Sequence, residues 1–206
     1  MTDKRPRAWQ RMLSGRRLDL LDPSPMDVEI EDIAHGLSRV ARWNGQTVGE
    51  HGYSVAQHSL LVEAIARQAT PGLGPDVLLC TLLHDAPEYV IGDMISPFKA
   101  VLGGDYKGVE ERLAAAIHIR FGLPPHPSNG TLALMKAADR AAARLEAVSL
   151  AGFTEEEAQR FFGKPVAVPR DAEAHLVPWT PTEAKTRFVA RFDALSRALA
   201  PVAERS

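Results

Sequence analysis

Apolar positions recur at three- and four-residue spacing along most of this chain, a period that predicts helices. Ile30, Ile33, Leu37 and Val40 make one face of a first helix, expected to end near Arg42-Trp43 because Asn44-Gly45 signals a turn. A second helix opens at Ser54, whose hydroxyl can cap it with Gln57 placed to complete a capping box; its stripe is Val55, His58, Val62, Ile65 and Ala69. After Gly72 and Gly74-Pro75 comes a third, apolar almost all round at Val77, Leu78, Cys80, Thr81, Leu82 and Leu83 and therefore expected to be the central buried helix. Residues 105 to 121 form another, with Val109, Leu113, Ala116, Ile117 and Arg120 on or beside its inner face. In the Ala- and Leu-rich stretch from 131 to 151 the stripe is Leu132, Met135, Asp139, Ala142 and Leu145 or Glu146. Thr154 caps an acidic helix start, residues 165 to 169 are extended, and Thr180-Pro181-Thr182-Glu183 caps a last helix reaching about Ala198.

The remainder is short. Residues 1 to 17 read as a solvated basic arm or a short helix laid on the surface, residues 18 to 25 as an extended segment feeding a turn, and the Gly-rich loop from 44 to 52 has room for a small hairpin. With no internal repeat and no separate domain boundary, the expected fold is all-α and single-domain, with at most a minor short hairpin. Its expected parts are an arm and extended segment (1–28), a helical core (29–151) and a C-terminal helical extension packing on that core (152–206).

Three interruptions break the stripes. His58 lies inside the second, adjacent His84 and Asp85 end the third, and Asp139 sits in the stripe of the 131 to 151 helix. Burying such groups uncompensated costs roughly 2–7 kcal/mol, and more when they are charged. Taken singly, a histidine on an apolar face is ordinarily a satisfied core residue, and Arg42 and Trp43 read as a surface arginine and a tryptophan at the core edge. One explanation covers all three interruptions: a divalent cation bound by two His nitrogens and two Asp oxygens on three helices packed side by side, with positions left for water or a substrate oxygen. Pro87 lacks a backbone donor and its ring opposes the Leu83 carbonyl, so a kink around His84 and Asp85 is expected, which helps both reach one ion. Glu88 follows His84 by four residues and shares its side if helical geometry continues. Asp93 follows Gly92 in a loop, and Pro97 restarts a short helix carrying Lys99. His118 and His126 have no carboxylate company and read as structural or exposed.

Composition bounds the alternatives. At 206 residues and 45% hydrophobic content the chain can bury one substantial core. A net charge of −2 argues against bulk electrostatic binding of nucleic acid, leaving the basic residues Lys4, Arg5, Arg7, Arg11, Arg16 and Arg17 as a solvated face. Cys80 is the single cysteine, which excludes an intrachain disulfide and suits a small core residue. The longest apolar run, 77 to 83, falls short of the roughly 18 residues that span a bilayer. With no hydrophobic signal core at the N-terminus, a cytoplasmic protein without membrane attachment is expected.

The ordered set Arg42-Trp43, Ser54-Val55-Ala56-Gln57-His58-Ser59, His84-Asp85-Ala86-Pro87-Glu88, Gly92-Asp93, Ser96-Pro97-Phe98-Lys99 and Ala138-Asp139-Arg140 resembles the HD-domain superfamily of metal-dependent phosphohydrolases, and within it the branch containing bacterial 5′-deoxynucleotidases. The resemblance covers about residues 30 to 150. It implies an α-helical fold and hydrolysis of a phosphate monoester on a deoxynucleoside, with some relatives cutting triphosphates instead. It makes His58, His84, Asp85 and Asp139 ligands of one divalent metal ion (Mn, Co, Fe, Zn, Ni or Mg). Glu88 is implied as the general acid or base, assisted by Asp93, which either shares that work or holds the sugar. Arg42 and Lys99 are implied to contact phosphate, and Trp43 to wall the sugar and disfavour a 2′-hydroxyl. The chain lacks the Gly-Tyr-Pro signature of cyclic-dinucleotide phosphodiesterases, and Tyr89 follows Glu88 where alarmone hydrolases typically have Asp. The expected partner is a small nucleotide, with room left for a homodimer; the rival reading is a regulatory module that senses metal or nucleotide without cutting.

Overall fold

Helices account for nearly all the regular structure in the computed structural model of the chain, which describes residues 7–94, 104–170 and 172–199. In chain order they are α1 (Ile30–Leu37), α2 (Val55–Ala69), α3 (Pro75–Leu82), α4 (Glu88–Ile91), α5 (Gly104–Arg120), α6 (Asn129–Ser149), α7 (Glu155–Phe162), α8 (Ala172–His175) and α9 (Pro181–Leu199). The all-α expectation holds, with the single hairpin β1 (Trp9–Arg11) and β2 (Arg17–Asp19) as its minor β element among the described residues. Lys99 and the expected helical restart at Pro97 lie outside the described residues.

α2 occupies the centre rather than α3. Every residue from Val55 to Ala66 is buried, because α2 packs on α3, α6, α8 and α9 at once; α3 is buried beside it at Leu78, Leu79, Cys80, Thr81 and Leu82. The exception to its expected stripe is Ala69, which is exposed where the helix runs out past its neighbours. One hydrophobic core lies between α1, α3, α5 and α9, around Ile33, Leu37, Leu79, Leu82, Leu113, Ile117 and Phe188. A second, around Leu61, Val62, Ile65, Ala138 and Ala142, joins α2 to α6. Leu132 stands 46% exposed at the start of α6, before that helix reaches α2, so it lies outside the inner stripe expected for it.

Several boundaries depend on caps. Ser54 accepts from Gln57 N at 3.2 Å and starts α2 as expected, but the Gln57 side chain does not complete a capping box. It reaches instead across the fold, donating to the carbonyls of His175 and Val177 (2.7 Å each) and accepting from Trp179 N at 3.0 Å. A fully buried amide satisfied by three backbone groups thus straps the chain before α9 onto α2. Thr154 and Glu157 do form a reciprocal capping box at α7.

From residue 7 onward the N-terminal stretch is neither arm nor helix. β1 and β2 pair antiparallel, with Gln10 opposite Leu18, and the wholly buried Leu18 seats the hairpin on the core. Arg7 and Arg17 stack on Trp9, each guanidinium 4.5 Å from the ring centroid, and Asp32 on α1 accepts from Ser14 N at 2.9 Å and Ser14 Oγ at 2.5 Å. Side-chain packing and two anchoring bonds order a stretch whose charge reads as solvated.

Candidate functional site

α1 stops earlier than its apolar period suggests. It ends at Leu37, and Arg42–Gly45 form a separate 3₁₀ turn. The chain is held there by Arg42 N to Tyr53 O (2.8 Å), Val55 N to Val40 O (3.0 Å) and a β-bridge between Ala41 and Ser54. Within the turn Trp43 (φ 57°) and Asn44 (φ 50°) are both left-handed, a conformation that costs an L-residue roughly 1–2 kcal/mol and is kept where surrounding contacts enforce it. The loop from 44 to 52 forms no hairpin.

α3 ends at Leu82, a turn carries His84 and Asp85, and α4 restarts at Glu88, as Pro87 requires. This break brings His84, Asp85, His58 of α2 and Asp139 of α6 together. His58 Nε2 lies 3.2 Å from Asp139 Oδ1 and 3.5 Å from Asp85 Oδ2, and His84 Nε2 lies 3.2 Å from that same Asp85 oxygen. The two imidazole rings are 5.3 Å apart. Ligand atoms of His58, His84 and Asp139 all lie within 4.8 Å of one another.

Both rings are fixed from behind. His84 Nδ1 donates to the Thr81 carbonyl at 2.9 Å, and His58 Nδ1 to Glu146 Oε1 at 2.5 Å. Each therefore turns Nε2 toward the carboxylates, and both Nε2 atoms are buried without a hydrogen-bond partner. Two orphaned imidazole nitrogens facing two carboxylates fit a borderline-soft divalent cation, for which N and O donors are well suited.

Electrostatics follow from this crowding. Burial works against the charge on Arg42, yet Glu146, Asp85, Asp93 and Asp139 overcome it and hold the guanidinium firmly protonated, its pKa above the ordinary value. Burial and Arg42 likewise oppose charge on His58, but Glu146 and Asp139 push its pKa up to about 10. Burial favours the neutral acid at Asp85, and its neighbours His84, His58 and Arg42 outweigh it, holding that carboxyl well below the usual range. Glu146 is lowered too, its burial outweighed by His58 and Arg42.

Of the other expected residues, Arg42 borders this cluster and Asp93 lies beside Arg42. Arg42 Nη1 stands 3.7 Å from Asp93 Oδ2 and 3.9 Å from Asp85 Oδ2, and Glu88 is 2% exposed at the start of α4. Trp43 meets Phe153 and Phe162, with ring centroids 5.6 and 5.9 Å away, so the segment around α7 backs the site. Of the two isolated histidines, His118 is buried and its Nδ1 bonds the Pro124 carbonyl at 3.2 Å. Sequence reasoning assigned no role to Glu146, which is wholly buried among these groups. Its signal was present as an acid two turns beyond Asp139 in an alanine-rich stripe.

A helical bundle that gathers His58 of α2, His84 of the α3–α4 turn and Asp139 of α6, with Asp85 set against both imidazoles, has the donor set of an HD-type phosphohydrolase. The chain matches the family model described as 5′-deoxynucleotidase YfbR-like over residues 33–160 and belongs to that family. An uncharacterized protein of Rhodobacter capsulatus is 58% identical to it over 194 residues, 94% of this chain and 98% of that protein. The uncharacterized protein YfdR of Escherichia coli is 31% identical over 173 residues, 82% of this chain and 85% of that protein. Family membership supports a metal-dependent nucleotide phosphohydrolase. Among the described residues no helix is long and apolar enough to cross a membrane.

Proposed function

We propose that the chain hydrolyses the phosphate ester of a deoxyribonucleoside 5′-monophosphate, using one divalent metal ion. The observation that carries this reading is the pair of buried Nε2 atoms of His58 and His84, each 3.2 Å from a carboxylate oxygen of Asp139 or Asp85 and neither in hydrogen-bond geometry. Those four residues would hold the ion, which when bound supplies Lewis-acid charge and a water of lowered pKa.

The surrounding residues suit the rest of the task. Arg42 is held protonated and offers a planar fork of donors to the phosphate oxygens, balancing the charge that spreads over them. Glu88, buried beside the ligand turn, is the group to move a proton between water and the leaving 5′-oxygen, with Asp93 assisting or holding the sugar. Trp43, braced by Phe153 and Phe162, is suited to wall the sugar and disfavour a 2′-hydroxyl. The family description favours a monophosphate over a triphosphate.

The test is phosphate release from a panel of deoxy- and ribonucleoside mono- and triphosphates by chelator-stripped protein given Mn²⁺, Co²⁺ or Mg²⁺. Turnover of deoxyribonucleoside monophosphates above the others is expected. A triphosphate preference would replace the proposed substrate, and no turnover with any metal would refute the enzyme reading.

A further inference from the structure

Glu146 lies seven residues beyond Asp139 on α6, so it faces the same way two turns along, and it is wholly buried. Its two oxygens serve different halves of the site. Oε1 accepts from His58 Nδ1 at 2.5 Å. Oε2 accepts from Trp43 Nε1 at 3.0 Å and from Arg42 Nε and Nη2, each at 3.4 Å. Trp43 is the residue at which the 3₁₀ turn goes left-handed, and its ring N–H bond to α6 helps hold that conformation. A second bond, Val48 N to the Leu150 carbonyl at 2.9 Å, ties the following loop to the end of α6.

We propose that Glu146 is a positioning residue that joins the metal site to the phosphate and sugar clamp. One carboxylate fixes the His58 ring so that Nε2 faces the ion, and simultaneously aims Arg42 and Trp43 at the substrate. This rests on the metal-dependent nucleotidase reading above. A carboxylate behind a metal-bound imidazole orients the ring and raises its basicity, and its loss typically weakens metal binding by about 10–100-fold. An amide cannot replace Glu146. It offers one acceptor oxygen where His58, Trp43 and Arg42 all donate, and its NH₂ would face another donor.

The experiment compares wild type with Glu146→Gln by calorimetric titration of Zn²⁺ alone into chelator-stripped protein, without substrate. Affinity weakened by about 10–100-fold in a variant that still unfolds cooperatively is the expected result; affinity within threefold of wild type overturns the proposal. Where the wild type turns over nucleotide, the variant's KM rises as well, whereas an Arg42→Ala variant raises KM without weakening Zn²⁺ binding. If Glu146→Gln does not fold, the imidazole ¹H–¹⁵N correlations of Zn²⁺-loaded wild type decide: a proton on His58 Nδ1 with the metal on Nε2 is required, and the reverse arrangement refutes the proposal. A wild type that binds Zn²⁺ but hydrolyses nothing would sink the nucleotidase reading, and the affinity ratio would still judge Glu146.

Discussion

Gly36 sits where α1 and α4 nearly touch, and replacing it sets two effects of known sign against each other. Inside a helix, Gly→Ala ordinarily stabilises by about 1 kcal/mol, because alanine loses less backbone freedom on folding. A Cβ at position 36, however, would meet the Tyr89 carbonyl oxygen at 2.7 Å, Tyr89 Cβ at 2.8 Å and Tyr89 Cα at 3.0 Å. These belong largely to backbone, so no flexible side chain can swing aside; α1 and α4 must separate, at the roughly 1–3 kcal/mol typical of overpacking, or somewhat more. The net expectation is a loss of up to about 2 kcal/mol, or up to about 8 °C in Tm for a chain of this size. Gly108 in α5 provides the control, since a Cβ there meets only the tip of the Arg112 side chain, at 3.4 Å. Gly108→Ala should therefore raise Tm, and thermal unfolding of both variants by circular dichroism reads the contrast directly. Tyr89 follows Glu88, so separating the helices also moves the proposed proton-transfer carboxylate. A displacement near 1 Å can cost about 10²-fold in rate, and kcat of Gly36→Ala should fall well beyond what its fraction unfolded explains. If Gly36→Ala raises Tm as Gly108→Ala does, the close approach of α1 to α4 is wrong.

Other expectations concern the site and the core. Glu88→Ala should lower turnover by about 10²–10⁴-fold and leave metal bound, whereas Asp139→Ala should lose the metal; equal metal loss, measured by elemental analysis after dialysis, would show that the roles are misassigned. The His58 pKa, pushed up to about 10, keeps that imidazole protonated in the metal-free protein at neutral pH, and a metal must displace the proton. Affinity for Mn²⁺ should rise with pH between 6 and 8, on the order of tenfold per unit if one proton leaves, and a pH-independent affinity from calorimetry would contradict this. Glu63 on α2 is 2% exposed and paired with Arg191 of α9 at 2.5 and 3.1 Å, with Arg67 at 3.4 Å as a second partner. Arg191→Ala leaves that carboxylate with Arg67 alone and should destabilise by about 2–3 kcal/mol, seen as a lower urea midpoint; a change below about 0.5 kcal/mol would mean the pair is dispensable.

The sequence by itself determined what depends on neighbours along the chain. Helical periods, the Ser54 and Thr154 caps, and the break imposed by Pro87 are local, and the structure repeats them. The histidines and aspartates at 58, 84, 85 and 139 were legible for a related reason: each violates an apolar stripe, and a costly violation implies a compensating partner. Tertiary structure decided what depends on which faces meet. The Gln57 amide, suited locally to a capping box, is taken by carbonyls about 120 positions away. The arginines of residues 7–17 stay exposed, as a solvated face requires, but that their stretch pairs as a hairpin depends on Leu18, which seats it on the core. Glu146 stood as one of two alternatives in its stripe, because periodicity fixes the side of a helix on which a residue lies and says nothing of what lies opposite. Only the packing of α6 on α2, together with the left-handed turn at Trp43, brings His58, Arg42 and Trp43 to one buried carboxylate, where a low local dielectric makes each of those bonds count.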